Sequence, residues 1–380
     1  MNGPSVLDRA GLDDLFDVLR ARGLTLVGPT VRQRAVVYDE IHSSADLPAG
    51  VTDEQDGGTY RIREGAGGAL FSHNVGPNSW KNHLFPPRLR LWRARRDAGG
   101  DLAIEQEEPG DRPLAFIGVR SCDLHAIGVQ DRTFIRGAHV DEDYAARRAG
   151  CFIVAVNCGQ AAATCFCVSM DTGPRAQSGF DLALTELLDD DGHRFLVEVG
   201  SEQGAEVLAQ LPTRAAAEAD EHGARQSVQR AADQQVRELD TRDIRDLLLG
   251  NLDHPRWEEV ADRCLSCGNC TQVCPTCFCS TVEDVTDLAG QEAEHARVWD
   301  SCFSLEHSYM HGGSVRATTR ARYRQWMTHK LATWIDQFGT SGCVGCGRCI
   351  AWCPVAIDIT EESAAIRATD RREERGDADD

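Results

Sequence analysis

A chain of 380 residues, 42% hydrophobic and 26% charged, has room for two domains and a sizeable core, which excludes collagen, a coiled-coil rod and wholesale disorder. Its formal net charge of −20, from 40 basic and 60 acidic residues, repels nucleic acid and suits an acidic electron carrier or a subunit docked on a basic partner. Sixteen cysteines in a chain this long are not needed to staple a small core, so they call for a chemical explanation. The start, MNGPSVLDRAGLDDLFDVL, lacks a basic region followed by an apolar one, and apolar runs such as LAFIGV (114–119) and FIVAV (152–156) are far short of the roughly twenty residues that cross a bilayer. A cytoplasmic protein without a membrane span is expected. In a reducing compartment, clustered cysteines are metal ligands or redox groups more often than bridges.

In chain order, an amphipathic helix (Leu12, Leu15, Phe16, Leu19) is followed by strand-like LTLVGP and RAVVYDEI, and then by loops rich in Gly, Asn and Pro over 65–88. The strand LAFIGVRS, the helix-like CDLHAIGVQDR and the strand CFIVAVNC come next, and HRFLVEVG follows the turn DDDG. Apolar runs alternating with helical stretches predict a small parallel sheet in a mixed α/β domain over 1–212. Residues 213–247, rich in Ala, Gln, Arg, Glu and Asp, read as an exposed helical linker. A cysteine-dense domain is expected over 248–360 and a disordered acidic tail over 361–380. The fold class is therefore α+β: an N-terminal mixed α/β domain, then an α-helical domain containing a split bacterial-type two-cluster [4Fe–4S] ferredoxin module.

That module is read from spacing. CLSCGNCTQVCP places Cys264, Cys267, Cys270 and Cys274 before Pro275, and CVGCGRCIAWCP repeats the pattern with Cys343, Cys346, Cys349 and Cys353 before Pro354. Each is the C-x-x-C-x-x-C-x-x-x-C-P run whose fourth cysteine serves the other cluster. One [4Fe–4S] cluster is thus assigned to Cys264, Cys267, Cys270 and Cys353, and the other to Cys343, Cys346, Cys349 and Cys274. Structural zinc would show paired C-x-x-C knuckles without the third cysteine and the proline. About seventy residues separate the runs, so the ferredoxin module is opened to hold other structure.

Of the eight other cysteines, Cys122 and Cys158 each follow an apolar strand, at the strand ends where sites assemble in parallel sheets. The tetrapeptide TCFC occurs at 164–167 and again at 276–279, and Cys302 lies in WDSC. The preferred reading is a third [4Fe–4S] cluster on Cys122, Cys158, Cys165 and Cys167. A rival set mixes Cys277, Cys279 and Cys302 with one N-terminal cysteine, and a third reading leaves all of them as buried packing residues. Cys151 is read as core packing, and Phe278, Phe303 and Trp299 as shields against water around the clusters.

The segment ARYRQWMTHKLATWIDQFG predicts an amphipathic helix with Tyr323, Trp326, Met327, Leu331, Trp334, Ile335 and Phe338 on one face, ended by Gly339. His307 and His311 have the spacing of helical metal ligands but no intervening Glu, and read as surface or packing residues. Lys81 and Lys330 are the only lysines among 40 basic residues; the excess of arginine is a compositional bias, and the lysine at 81 is read as chance. No nucleotide or flavin motif is found.

Taken together, SWK (79–81), RSCDLHAI (120–127), NCGQAAATCFCVSMDTGP (157–174), HPRWEEVADRCLSCGNCTQVCPTCFC (254–279), WDSCFS (299–304) and RYRQWMTHKLATWIDQFGTSGCVGCGRCIAWCP (322–354) resemble the iron–sulfur beta subunit of cytoplasmic nickel–iron hydrogenases, the sulfhydrogenases, and its relative among the subunits of anaerobic sulfite reductase. The resemblance implies an electron-transfer subunit that performs no bond-changing catalysis itself. Its implied partners are a flavin/NAD(P)-binding subunit together with the small and large subunits of a nickel–iron hydrogenase, or else sulfite reductase subunits. Within the resemblance, the loop GQAAAT after Cys158 departs from the Pro-Gly of the family. A stand-alone redox-sensing iron–sulfur protein is the reading of a different class, opposed by a two-run layout suited to transfer.

Overall fold

Fourteen strands matter to the sites: β1 (Ser5–Asp8), β2 (Thr25–Arg32), β3 (Ala35–Glu40), β4 (Val51–Asp56), β5 (Thr59–Glu64), β6 (Arg88–Arg96), β7 (Leu102–Gln106), β8 (Leu114–Val119), β9 (Phe152–Val156), β10 (Leu182–Asp189), β11 (Gly192–Val199), β12 (Thr213–Ala215), β13 (Ser280–Thr286) and β14 (Glu292–Trp299). The structure is a computed structural model that describes residues 3–65, 67–97, 99–106 and 112–370.

Eight strands form one sheet in the order β12-β1-β11-β10-β9-β8-β2-β3. Its centre is parallel, with β10, β9, β8 and β2 side by side, and its flanks are antiparallel. The sheet is larger and more mixed than the apolar runs alone predict, because the turn after β10 folds β11 back as a hairpin and β1 and β12 pair beyond it. The central strands are apolar throughout because both faces are covered. In β9, Phe152, Val154 and Val156 join Leu12, Leu15, Phe16 and Leu19 of helix Gly11–Ala21 on one face, while Ile153 and Ala155 meet Leu124 and Ile127 of helix Ser121–Phe134 on the other. At Gly118 (φ 89°) the pairing of β8 with β9 shifts register, and the strand leaves the sheet toward Ser121 and Cys122.

Residues 213–247 are not an exposed linker. Thr213–Ala215 is the sheet's edge strand, and helix Glu218–Asp233 packs on the sheet through Ala224 and Ala231. Asp220 fixes its start by accepting from Arg194 Nε (2.8 Å) and Arg214 Nη1 (2.7 Å). The buried face of that helix is alanine, which allows close approach without an apolar signal. The expected tail also begins as structure: helix Ile359–Ala368 buries Ile359 and Ile366 and places the fully buried Glu362 between Arg256 and Arg263. The rest of that tail, 371–380, lies outside the described residues.

The insertion between the two cysteine runs is not wholly helical. Its first part is the β13–β14 hairpin, and β14 pairs with β6 to give a four-stranded sheet β13-β14-β6-β7. Helices Ile244–Gly250, Arg256–Arg263 and Thr319–Thr328 then build a second core on Trp257, Tyr323, Trp326, Met327 and Leu331. Arg348 inserts from the second cysteine run into the N-terminal half. Its guanidinium is fully buried and donates to both carboxylate oxygens of Asp123 (2.7 and 3.0 Å) and to Gly76 O (3.0 Å).

Asp123→Ala is expected to destabilise the cluster-loaded chain by about 3–5 kcal/mol, because it strands a buried cation. Replacing Asp123 and Arg348 together by apolar residues of similar size is expected to cost less. Thermal unfolding midpoints of the three proteins check both statements.

Candidate iron–sulfur sites

Both cysteine runs fold alike. Gly268 (φ 75°) and Gly347 (φ 73°) take the left-handed conformation just before one-turn helices, Asn269–Gln272 and Arg348–Ala351. That tight turn brings the first three cysteines of each run to one side, and the chain after the helix carries the fourth across to the other run. A first cavity is lined by Cys264, Cys267, Cys270 and Cys353 together with Phe303, Tyr323 and Trp326. A second is lined by Cys274, Cys343, Cys346 and Cys349 together with Phe166 and Lys330. The cavities measure about 30 and 20 Å³, more than the roughly 10–15 Å³ that one water needs. Backbone amides point at the sulfurs: Ser266 N at Cys264 (3.4 Å), Ile357 N at Cys353 (3.3 Å) and Gly345 N at Cys343 (3.5 Å).

A third cavity of about 20 Å³ is lined by Cys122, Cys158, Cys165 and Cys167. The parallel neighbours β8 and β9 end side by side, so the residues that follow them, Cys122 and Cys158, approach from the same edge of the sheet. The TCFC loop closes the cavity and is tied to the second run, with Phe166 N donating to Gly345 O (2.9 Å). Arg120 braces the floor by donating to Phe71 O and His73 O, both at 2.7 Å, and Gln235 Nε2 donates to Cys167 Sγ (3.2 Å). The rival grouping is not assembled: Cys277, Cys279 and Cys302 line none of the three cavities. Cys151 packs in the core and donates to Arg147 O (3.1 Å).

These cysteines fit a polynuclear iron core. Among the described residues no three His, Cys, Asp or Glu side chains converge as ligands of a single ion would. The cysteines surround cavities instead. Burial pushes the thiols of Cys122, Cys165, Cys270 and Cys349 well above their ordinary range, and those of Cys167 and Cys343 up to about 12, with neighbouring cysteines adding to each shift. Several thiolates in one apolar cavity need positive charge at its centre, which an iron core supplies.

Both lysines lie beside the second run. Helix Thr319–Thr328 continues through His329–Thr333 with wider, i→i+5 turns before Trp334–Phe338, and Lys330 within that stretch turns inward. Its Nζ donates to Cys274 Sγ, Thr276 Oγ1 and Gly342 O, each at 3.2 Å. Lys81 Nζ donates to Cys277 O (3.1 Å) and sits 3.7 Å from the centre of the Trp299 ring, and burial lowers its pKa to about 8. Lys81 is therefore a specific contact rather than chance composition. Of the three aromatics expected to shield the clusters, only Phe303 lines a cavity; Phe278 packs against Phe134 and Trp334. His307 is half-buried and bonded to Asp300, whereas His311 is exposed, and the two share no helix. Lysine rarity was the one sequence signal for Lys330; nothing in the spacing marks Arg348 as a tie between lobes.

Two runs that exchange their fourth cysteines around a pair of cavities define a two-cluster iron–sulfur protein, and a family model described as a 4Fe-4S dicluster domain matches residues 263–357. The sulfhydrogenase 2 subunit beta of Pyrococcus furiosus is 34% identical over 289 residues, covering 75% of this chain and 83% of that protein. The chain belongs to the sulfhydrogenase beta-subunit family. No solved structure matches it. No helix among the described residues is long and apolar enough to cross a membrane.

A Cβ on Gly347 would lie 2.3 Å from Thr164 O, and one on Gly345 2.6 Å from Phe166 O, so the second run and the TCFC loop touch backbone to backbone. Gly347→Ala is expected to push the loops apart at a cost of about 1–3 kcal/mol, with added strain from its positive φ. A lowered thermal midpoint together with reduced iron content per chain is the expected result.

Proposed function

We propose that this chain relays single electrons through three [4Fe–4S] clusters, linking a flavin/NAD(P)-binding subunit to the small and large subunits of a nickel–iron hydrogenase. The observation that carries the reading is the sharing of wall residues. Cys346 lines both the third and the second cavity, and Cys349 lines both the second and the first. The three sites thus stand in a row with the second in the middle.

The proposed ligand sets are Cys264, Cys267, Cys270 and Cys353; Cys343, Cys346, Cys349 and Cys274; and Cys122, Cys158, Cys165 and Cys167. A [4Fe–4S] cluster in each set carries one electron at a time, while a nicotinamide delivers two, so the pair is split on a flavin in a partner. The protein's own part is to hold the sites close, exclude water and set local charge. Phe303, Tyr323 and Trp326 wall the first cavity. Its other side reaches the surface at Cys267 and at Leu265, which is 63% exposed. The middle site has no such opening: Cys274, Cys343 and Cys346 are buried. Electrons therefore enter and leave at the two ends of the row.

Anaerobic analysis is expected to give about twelve iron and twelve sulfide per chain; a value near eight removes the third site. In the purified complex, Cys165→Ser is expected to abolish one paramagnetic signal and to slow NAD(P)H-linked hydrogen turnover, while dye-linked turnover at the nickel subunits persists. Unchanged NAD(P)H-linked turnover would contradict the relay. Lys330→Met removes a cationic donor from Cys274, and the middle site's midpoint potential is expected to fall on the order of 60 mV, equivalent to about 1.4 kcal/mol for one electron. A redox titration followed by electron paramagnetic resonance reads that shift.

A further inference from the structure

Three cysteines are left outside the proposed clusters on this side of the molecule, and they divide. Cys277 faces inward, with its sulfur 3.5 Å from Lys330 Nζ. Cys279 and Cys302 face each other at the open end of the β13–β14 hairpin. Ser280 pairs with Trp299 in the hairpin register, and one step further out Asp300 N donates to Cys279 O (2.8 Å), which fixes the WDSC turn against the end of TCFC. Inside that frame the Cys279 sulfur meets the Cys302 thiol, the Cys302 backbone amide and the His307 ring. His307 Nδ1 is held by Asp300 Oδ2 at 2.7 Å, which leaves Nε2 as the nitrogen for sulfur. Asp300 is itself fixed, accepting from Ser301 N (2.7 Å) and Ser304 Oγ (2.6 Å). A sulfur nucleophile, a ring nitrogen and a carboxylate that orients the ring are the parts of an activated cysteine. A second thiol beside it is the part that resolves a mixed disulfide.

We propose that Cys279 and Cys302 form a redox-active dithiol that exchanges with disulfides, with Cys279 as nucleophile, Cys302 as resolving cysteine and His307, oriented by Asp300, as proton carrier. Cys279 as thiolate attacks one sulfur of R–S–S–R′; that S–S bond breaks, a Cys279–S–S–R bond forms, and R′S⁻ leaves with the proton from His307. The Cys302 thiol then attacks the Cys279 sulfur; the bond to R breaks, the Cys279–Cys302 disulfide forms, and RS⁻ leaves with the proton of Cys302. One disulfide is reduced to two thiols and one protein dithiol is oxidised, with no electron or proton left over. Cys279, Cys302 and His307 are all half-exposed, so a small disulfide has access. The Cys302 thiol and the His307 ring also pull the Cys279 pKa down to about 4, which leaves it thiolate at neutral pH. This dithiol is independent of the cluster ligand sets, since none of its members lines a cluster cavity.

The test uses the full chain, purified anaerobically in its complex, with oxidised glutathione as probe and peptide mapping by mass spectrometry after free thiols are blocked. The wild-type protein is expected to form a Cys279–Cys302 link. Cys302→Ser is expected to stop at a glutathione adduct on Cys279, and His307→Gln to slow capture about tenfold at pH 7. Cluster absorbance serves as the folding control, and if one cysteine variant fails to fold, the wild-type and His307→Gln arms decide. Absence of the link in wild type together with no adduct on Cys302→Ser would overturn the proposal. So would zinc or extra iron that is lost in Cys302→Ser, which would make these residues metal ligands instead.

Discussion

The pairing of Arg348 with Asp123 is the constraint on which the arrangement depends. Asp123 follows Cys122 in sequence, and Arg348 stands between Cys346 and Cys349, so one fully buried ion pair joins a cysteine loop of the N-terminal sheet to a cysteine loop of the ferredoxin-type module. Two charges this deep are costly unless every donor is used. Arg348 spends its remaining reach on Gly76 O, and Asp123 accepts from Tyr38 as well (3.4 Å). The glycine contacts beside it bring the two loops to backbone distance. The two halves of the chain are thus fixed to one another where electrons must cross between them, and a hinge at that point would spoil the row of sites.

The chain's acidity has a counterpart inside. Its net charge is −20, yet the interior around the cysteines is supplied with cations: Lys330 at Cys274, Lys81 at the TCFC carbonyl, Arg120 beneath the third cavity and Arg348 between the second and third. Thiolates in low dielectric need such partners, and the same donors adjust how readily a site accepts an electron. Lysine is used where a compact ammonium must reach several acceptors in a narrow space; arginine is used where a planar fork meets a carboxylate or several carbonyls. That division explains why two lysines persist in a chain otherwise rich in arginine.

Much of this was legible in the residues. The C-x-x-C-x-x-C-x-x-x-C-P runs encode their own geometry, because the glycine turn and the crossing fourth cysteine are local consequences of spacing. The runs LAFIGV and FIVAV are unbroken because both faces of their strands are buried, and that placed Cys122 and Cys158 at one sheet edge. What was not legible depends on pairings distant in sequence or on small residues. Helix Glu218–Asp233 buries alanines and so looked like a linker, and helix Ile359–Ala368 hides one buried Glu362 and two isoleucines in a charged string. The sheet joining β6 to β14 unites segments almost two hundred residues apart, and His307 acquires its partners only when the WDSC turn folds.

The central claim is that three clusters stand in a row, the middle one held by Cys274, Cys343, Cys346 and Cys349. Anomalous diffraction at the iron edge from crystals of the intact complex tests it most directly. The account predicts three iron sites in this chain, one in each cavity, with the middle site nearest to both of the others. Two sites, or iron centred on Cys279 and Cys302 with the Cys122–Cys158 cavity empty, would contradict it.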